Sequence, residues 1–358
     1  MAVAAELRAS GVEVSFLGTR ERIEAELVPA AGYEIDYVKV QGIDRRNPLR
    51  AIVAVGKAIA GVGAARRVLR RREPDVVLGG GGYVAGTVGM AAVLTRTPLV
   101  LTEADSHLGF ANRMLAGRAR RICLSFPIAG REGERYALTG RPVPAAVLGA
   151  DREAARRRFD IPADARCLLV MGGSQGARSI NLAAIEAFAE RGKGRDFHVL
   201  HLAGTRDYPK LARRLEGIPG RERYTLIEYE PDLGDVLAAC DLVVARSGGS
   251  IFEVTAAGRA AILVPYPHAT ADHQTANAAW MVDAGAAVAI ADESLSADLL
   301  ALRVDDLLGD EERLTAMTSA SASLAMPDAA KRIADEILAA ASSGAPYMDI
   351  DRKRRTGR

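Results

Sequence analysis

The run from Cys240 to Gly258, CDLVVARSGGSIFEVTAAG, constrains the fold more than any other stretch of the chain. Cys240–Ala245 has the apolar continuity of a strand buried on both faces. Arg246, Ser247, Gly248, Gly249 and Ser250 then make a tight turn, and the residues from Ile251 to Ala257 follow with amphipathic spacing. Strand, glycine turn and helix start, in that order, present main-chain N–H groups and a positive dipole end to an anion. Gly248 and Gly249 allow close approach of the backbone, and Ser250 can cap the helix or bond a phosphate oxygen. Glu253, in the first helical turn, is placed to accept hydrogen bonds from vicinal hydroxyls. The next strand, AAILVPYP, ends in a polar loop and a second helix start, where Asp272, Gln274 and Asn277 recur at helical spacing. The glycines alone describe an ordinary βαβ crossover equally well. Their combination with Glu253, Gln274 and Asn277 points instead to a ligand carrying both phosphate and hydroxyl groups.

Composition narrows the class. A chain of 358 residues exceeds the usual single core, so two domains are expected. Abundant Ala, Gly and Val with few aromatics suit buried parallel strands crossed by Ala-rich helices. A net charge of +2 carries no nucleic-acid signature. The three cysteines, Cys123, Cys167 and Cys240, are scattered in mostly apolar runs and read as reduced core thiols. The five histidines form no HxxxH or HxH pair, so no metal site is expected, and His198 and His201, in an alternating strand-like run, read as packing residues. No apolar run reaches the roughly 20 residues of a membrane span.

The pattern is α/β throughout. The first residues, MAVAAELRAS, are already helical, and VEVSFLGT follows as a strand, although an α/β domain ordinarily opens with strand, glycine turn and helix. A first strand and its glycine loop are therefore expected to be missing from the N-terminal domain. Leu49–Leu69 is apolar on nearly every face until Val62 and ends in Arg66, Arg67, Arg70, Arg71 and Arg72, which suits a segment lying on anionic lipid or a core helix capped by solvated charge. Asp75–Leu78 feeds Gly79, Gly80, Gly81, Gly82 and Tyr83, with helix resuming near Thr87. Leu99–Thr102 feeds Glu103, Ala104, Asp105, Ser106 and His107, a polar cluster at an equivalent strand end. The stretch YALTGRPVPAA, from Tyr136 to Ala146, reads as an interdomain linker. The pattern then restarts with strand Cys167–Gly172, followed by GSQGAR and a helix carrying Asn181. Helices over Leu299–Leu308 and Asp328–Ala341 close the chain, and the polar, basic residues from Ser342 onward read as disordered. The expected division is 1–141, 142–325, a helix over 326–341 returning to the first domain, and a tail over 342–358. Two βα domains with glycine loops at strand ends would face each other across a cleft, donor on one side and acceptor on the other.

Four segments together resemble the MurG family: PDVVLGGGGYVAG at Pro74–Gly86, GGSQGARSIN at Gly172–Asn181, RSGGSIFEVTAAG at Arg246–Gly258 and VPYPHATADHQTANA at Val264–Ala278. The resemblance covers nearly the whole chain. It implies a B-type glycosyltransferase fold of two Rossmann-like domains and an inverting transfer of N-acetylglucosamine from UDP-N-acetylglucosamine to undecaprenyl-diphosphate-linked muramoyl pentapeptide, the conversion of lipid I to lipid II, with no cofactor and no metal. By position, Ser174, Arg246 and the turn Gly248, Gly249, Ser250 and Glu253 would hold UDP, with Glu253 on the ribose. Gln274 and Asn277 would meet the sugar hydroxyls. Gly81, Gly82, Tyr83 and Asn112 would line the acceptor side, and Leu49–Arg72 would rest peripherally on the cytoplasmic face of the cell membrane. The family's opening GGTGGH loop has no counterpart here. Its HEQN motif appears as Thr102–Asp105, placing Asp105 near the donor, and its NPVR motif as Arg141–Pro144, leaving Arg141 to reach the nucleotide. With the histidine of that opening loop absent, Asp105, Glu103 and His107 are the candidates for the general base. A UDP-sugar-binding paralogue without turnover, or a related transferase with another lipid acceptor, would share the same donor residues.

Overall fold

The computed structural model describes residues 1–39, 48–173, 176–192 and 194–342, and for 48–58 and 270 the backbone alone. The expected tail from 343 onward lies outside the described residues. The chain divides into two compact units, one comprising residues 1–142 with the segment from Asp328, the other Val143–Pro327.

In the second unit, six parallel strands form one sheet: β7 (Arg166–Met171), β8 (Phe197–Leu202), β9 (Tyr224–Ile227), β10 (Leu242–Ala245), β11 (Ala260–Leu263) and β12 (Ala287–Ala289), in the spatial order β12-β11-β10-β7-β8-β9. Leu168, Leu169, Val170, Leu242, Val243 and Val244 are all fully buried, as an apolar run with helices on both faces requires. The helix Leu233–Ala239 fixes where β10 begins. Asp232 caps its start, accepting from Gly234 N at 2.9 Å. Three arginines close its end: Arg152 donates to Ala238 O and Cys240 O, each at 2.9 Å, Arg156 to Ala239 O at 3.2 Å, and Arg259 to Leu237 O at 2.8 Å. Cations at a helix C-terminus satisfy carbonyls that have no partner within the helix.

In the first unit the strands form two sheets. β1 (Ser15–Gly18) pairs in parallel with β2 (Glu34–Tyr37), and β3 (Val77–Gly79), β4 (Leu99–Glu103), β5 (Arg121–Leu124) and β6 (Tyr136–Leu138) form a four-stranded parallel sheet in that order. The C-terminal helix Ala329–Ser342 belongs to this unit. Ile333 and Ile337 pack with Leu7, Val100 and Cys123, and Glu336 holds Arg121 at 2.6 Å.

The structure corrects several readings of the sequence. The helix expected near Thr87 begins at Gly82. Its glycines lower helix propensity but let a neighbouring helix, Phe110–Leu115, come close: a β-carbon on Gly86 would lie 3.2 Å from that of Ala111. Tyr136–Leu138, read as linker, is strand β6, its three residues paired with β5. The helix Glu311–Ser323 and the short strand β12 were not expected at all.

The segment Leu49–Arg72 forms the helix Pro48–Arg72. Between 59 and 72 it is a core helix, with Ala65 and Leu69 buried beside Val77 and Leu99. Arg71 and Arg72 are tied to Asp36 at 2.5 and 2.9 Å, whereas Arg67 and Arg70 are exposed. Among the described residues no helix is long and apolar enough to cross a membrane. All three thiols are buried, and burial pushes Cys123 and Cys240 up to about 12 and Cys167 upward as well, so they are unreactive core groups.

Candidate functional site

The winding of the second unit's sheet reverses between β7 and β10. β8 and β9 extend it on one side of β7, while β10, β11 and β12 extend it on the other. At such a reversal the adjoining helices leave to opposite faces and open a crevice at the carboxyl ends of the strands. A cavity of about 520 Å³ lies there. It is lined by Met171 at the end of β7 and Gly173 beyond it, Leu202 at the end of β8 and Gly204 beyond it, the loop from Glu228 to Leu233 after β9, and Ser250 and Glu253 after β10, with Pro144 and Ala146 completing the wall.

The turn after β10 is braced from beneath. Ser247 is buried and donates its hydroxyl proton to Gln274 O at 2.6 Å, and Asn277 Nδ2 donates to Ser247 O at 3.1 Å. Gln274 Oε1 accepts from Tyr266 N at 2.9 Å, and its Nε2 lies 3.7 Å from where a β-carbon on Gly248 would stand. The helix Ile251–Ala256 then starts with Ile251 N donating to Gly248 O at 3.2 Å and Glu253 N to Ser250 O at 3.0 Å. On its far face Phe252 meets the ring of Trp280 at 5.3 Å.

The sequence-derived residues thus fall into two groups. Ser250 and Glu253 reach the cavity, and Gly248, Gly249 and Gln274 surround the turn. Arg246 and Asn277 act as braces. The Arg246 guanidinium donates to Val264 O at 3.1 Å, Pro265 O at 3.0 Å and Ser179 Oγ at 2.8 Å, and pairs with Asp292 at 2.6 Å. Asn277, only 1% exposed, is occupied beneath the turn. Ser174 lies outside the described residues. Arg141 is half-buried in the segment that follows β6. The loop Glu228–Leu233 was missed because it contains no glycine; its signal was a polar stretch, EYEPD, at the carboxyl end of a strand. Within it Glu230 is held by Arg158 at 2.5 Å and Tyr229 is exposed.

In the first unit the loop after β4 is organised by one carboxylate. Glu103 is buried, and its Oε1 accepts from Ala104 N at 3.0 Å and Asp105 N at 3.3 Å while its Oε2 accepts from Gly109 N and Asn112 Nδ2, both at 2.8 Å. Asn112 Nδ2 also donates to Thr102 O at 2.9 Å. Glu103 therefore anchors the loop with every oxygen engaged, while Asp105 and His107 sit half-exposed upon it. Beside Asn112, Gly81 and Gly82 take φ values of 83° and 74° and open the helix Gly82–Thr95, which leaves Tyr83 exposed on its first turn.

The fold and these segments have known counterparts. Residues 1–124 match the glycosyltransferase family 28 N-terminal domain and residues 167–333 the glycosyltransferase family 28 C-terminal domain. The chain is 41% identical over 343 residues to the UDP-N-acetylglucosamine--N-acetylmuramyl-(pentapeptide) pyrophosphoryl-undecaprenol N-acetylglucosamine transferase of Moorella thermoacetica, covering 93% of this chain and 92% of that protein. It is 40% identical over 332 residues to the enzyme of the same name from Salinibacter ruber, covering 92% and 89%. The crystal structure of Acinetobacter baumannii MurG superposes with a TM-score of 0.77 at 28% identity, covering 94% of each chain. With two parallel-sheet units, a crevice at the reversal of one sheet and identity at this level over nine-tenths of its length, the chain belongs to the MurG family of glycosyltransferases.

Proposed function

We propose that this chain transfers N-acetylglucosamine from UDP-N-acetylglucosamine to an undecaprenyl-diphosphate-linked muramoyl pentapeptide, with inversion at the anomeric carbon, as a step of peptidoglycan synthesis. The observation that carries this reading is the cavity at the sheet reversal, which Ser250 and Glu253 both line. Glu253 accepts hydrogen bonds from the ribose hydroxyls, and the main chain from Gly248 to Ser250 faces the diphosphate. Gln274, beside Gly248, turns its amide nitrogen toward the sugar. In the transfer the acceptor hydroxyl oxygen bonds to the anomeric carbon as the bond from that carbon to the diphosphate oxygen breaks. The hydroxyl proton passes to a general base, for which Asp105 and His107 are the candidates, since Glu103 is committed to its loop. The electron pair leaves with UDP, whose growing negative charge is met by main-chain N–H groups. A lipid-linked acceptor goes with peripheral attachment at the cytoplasmic face of the cell membrane, and the exposed Arg67 and Arg70 supply cations for an anionic surface.

The test is transfer of labelled N-acetylglucosamine from UDP-N-acetylglucosamine to purified lipid acceptor. Glu253→Gln is expected to raise the donor KM about 10- to 100-fold, the loss of charge-assisted hydrogen bonds worth about 1.5–3 kcal/mol. Wild-type protein that binds the nucleotide sugar but transfers nothing would replace this reading with a non-catalytic paralogue.

A further inference from the structure

The wall of the cavity formed by β7 and β8 rests on a buried polar chain that the transfer chemistry does not use. His201, on β8, is fully buried. Its Nε2 lies 3.0 Å from Asn181 Oδ1, and its Nδ1 lies 2.6 Å from Tyr224 Oη on β9. Asn181, on the helix Arg178–Ala184, donates through Nδ2 to Ala203 O at 2.9 Å and to Asp207 Oδ2 at 3.0 Å. These bonds fix every proton in the chain. Both Nδ2 contacts are to acceptors, so the amide oxygen must face His201, and His201 Nε2 must carry the hydrogen. Nδ1 is then an acceptor, and the Tyr224 hydroxyl donates to it. A neutral imidazole in one tautomer satisfies both of its partners; burial, which lowers the pKa of His201 to about 3, keeps it neutral.

The far end of this chain sits against a glycine turn. Gly176, at φ 76°, approaches so closely that a β-carbon there would stand 2.3 Å from Ala203 O, 3.2 Å from Asn181 Nδ2 and 3.3 Å from Asp207 Oδ2. Gly176 N donates to Gly173 O at 2.9 Å. Gly173, Leu202 and Gly204, on either side of this contact, line the cavity.

We propose that Tyr224, His201, Asn181 and Asp207 form a positioning chain that seats Gly176, and through it Gly173, against the end of β8 and thereby sets the enzyme's affinity for the nucleotide half of its donor. His201 is its pivot, a positioning residue that acts through Asn181 and does not touch the ligand. The inference rests on the reading of the cavity as the UDP-sugar site.

The test compares wild type, His201→Phe, His201→Gln and Tyr224→Phe in the full chain, with UDP as the calorimetric probe and donor and acceptor kinetics alongside. Phenylalanine keeps a buried ring and removes both nitrogens. It is expected to weaken UDP binding and raise the donor KM about tenfold, with kcat and the acceptor KM changed less than twofold. Glutamine restores a donor toward Asn181 and should recover most of the affinity; Tyr224→Phe should lose about threefold. A folded His201→Phe that binds UDP within twofold of wild type overturns the proposal, as does a fall in kcat with the donor KM unmoved. Should His201→Phe fail to fold, unchanged UDP affinity in Tyr224→Phe overturns it by the same measure. Wild-type protein without affinity for UDP would instead sink the donor-site reading itself, and this inference with it.

Discussion

Two of the chain's glycine turns, those at the carboxyl ends of β7 and β3, have opposite surroundings. In the second unit Gly172 and Gly176 are wedged in place: β-carbons there would stand 2.2 Å from Ala177 N and 2.3 Å from Ala203 O. In the first unit Gly81 and Gly82 are open: a β-carbon on Gly81 would find nothing nearer than Asn112 Nδ2 at 3.9 Å, and one on Gly82 nothing within 4 Å. Both turns contain glycine at positive φ, so conformation alone does not separate them. Their setting does. The second unit holds its turn on a continuous six-stranded sheet, with a buried hydrogen-bonded chain behind it. The first unit divides its strands between two sheets and shapes the neighbouring loop through a single carboxylate, Glu103. Glycine in the first case makes room for the protein, and in the second it leaves room above the backbone.

The largest consequence falls on the wedged turn. Gly176→Ala must adopt φ 76° and displace the Ala203 carbonyl just after β8, which together cost about 4 kcal/mol. UDP affinity should disappear with the seating of the turn. Gly82→Ala meets no neighbour and loses only the ease of positive φ, about 1 kcal/mol. Urea unfolding followed by the fluorescence of Trp280, the chain's only tryptophan and part of the second unit, reads the first effect directly. Circular dichroism reads both. Equal destabilisation by the two alanines would erase the distinction between them.

Next in size is Glu103→Gln. The carboxylate accepts four hydrogen bonds, two on each oxygen, and the amide would turn an NH2 group against two of those donors. The expected loss is about 2–3 kcal/mol, confined to the first unit. Transfer activity should fall because Asp105 and His107 ride on the loop that Glu103 holds, while UDP affinity should stay at the wild-type value. A drop in UDP affinity with activity otherwise normal would show that Glu103 serves the donor and not its own loop.

The same contrast explains what could be read from the sequence. β7 and β10 are continuous apolar runs ending in Gly-rich turns and β11 is one ending in a polar loop, and these signals are local, so all three strands and the turn at Gly248 were legible. Packing that overrides local preference was not. The helix at Gly82 starts five residues before its propensity suggests because small residues admit the neighbouring helix. Strand β6 hid in a Pro- and Gly-punctuated stretch since three residues carry no periodicity. Asn277 and Arg246 have the composition of ligand contacts, yet tertiary folding turns both inward to brace the turn. His201 occupied a strand position where alternation predicts packing, and nothing in one sequence shows that Tyr224 and Asn181 converge on it. Polar residues read from spacing alone cannot distinguish a group that holds the ligand from one that holds the loop.

The smallest effect tests whether acid sensitivity resides where the buried chain does. In the folded protein His201 binds a proton only near pH 3, against an ordinary value of 6.5, so between these limits the unfolded chain takes up a proton that the folded chain refuses. Stability therefore rises with pH across that window and is lost as pH falls below 6.5, by about 1.4 kcal/mol per unit for one fully excluded proton. His201→Gln removes the titrating group and keeps a donor for Asn181. Its free energy of unfolding, followed through Trp280, should decline less steeply than that of wild type between pH 6.5 and pH 4, and the two curves should run parallel above pH 7. His198, also lowered by burial, and the carboxylates are common to both proteins and cancel in the difference. Parallel acid limbs would mean that water reaches His201 in the folded state, and the rigid seat under the Gly176 turn would then have to come from the sheet alone.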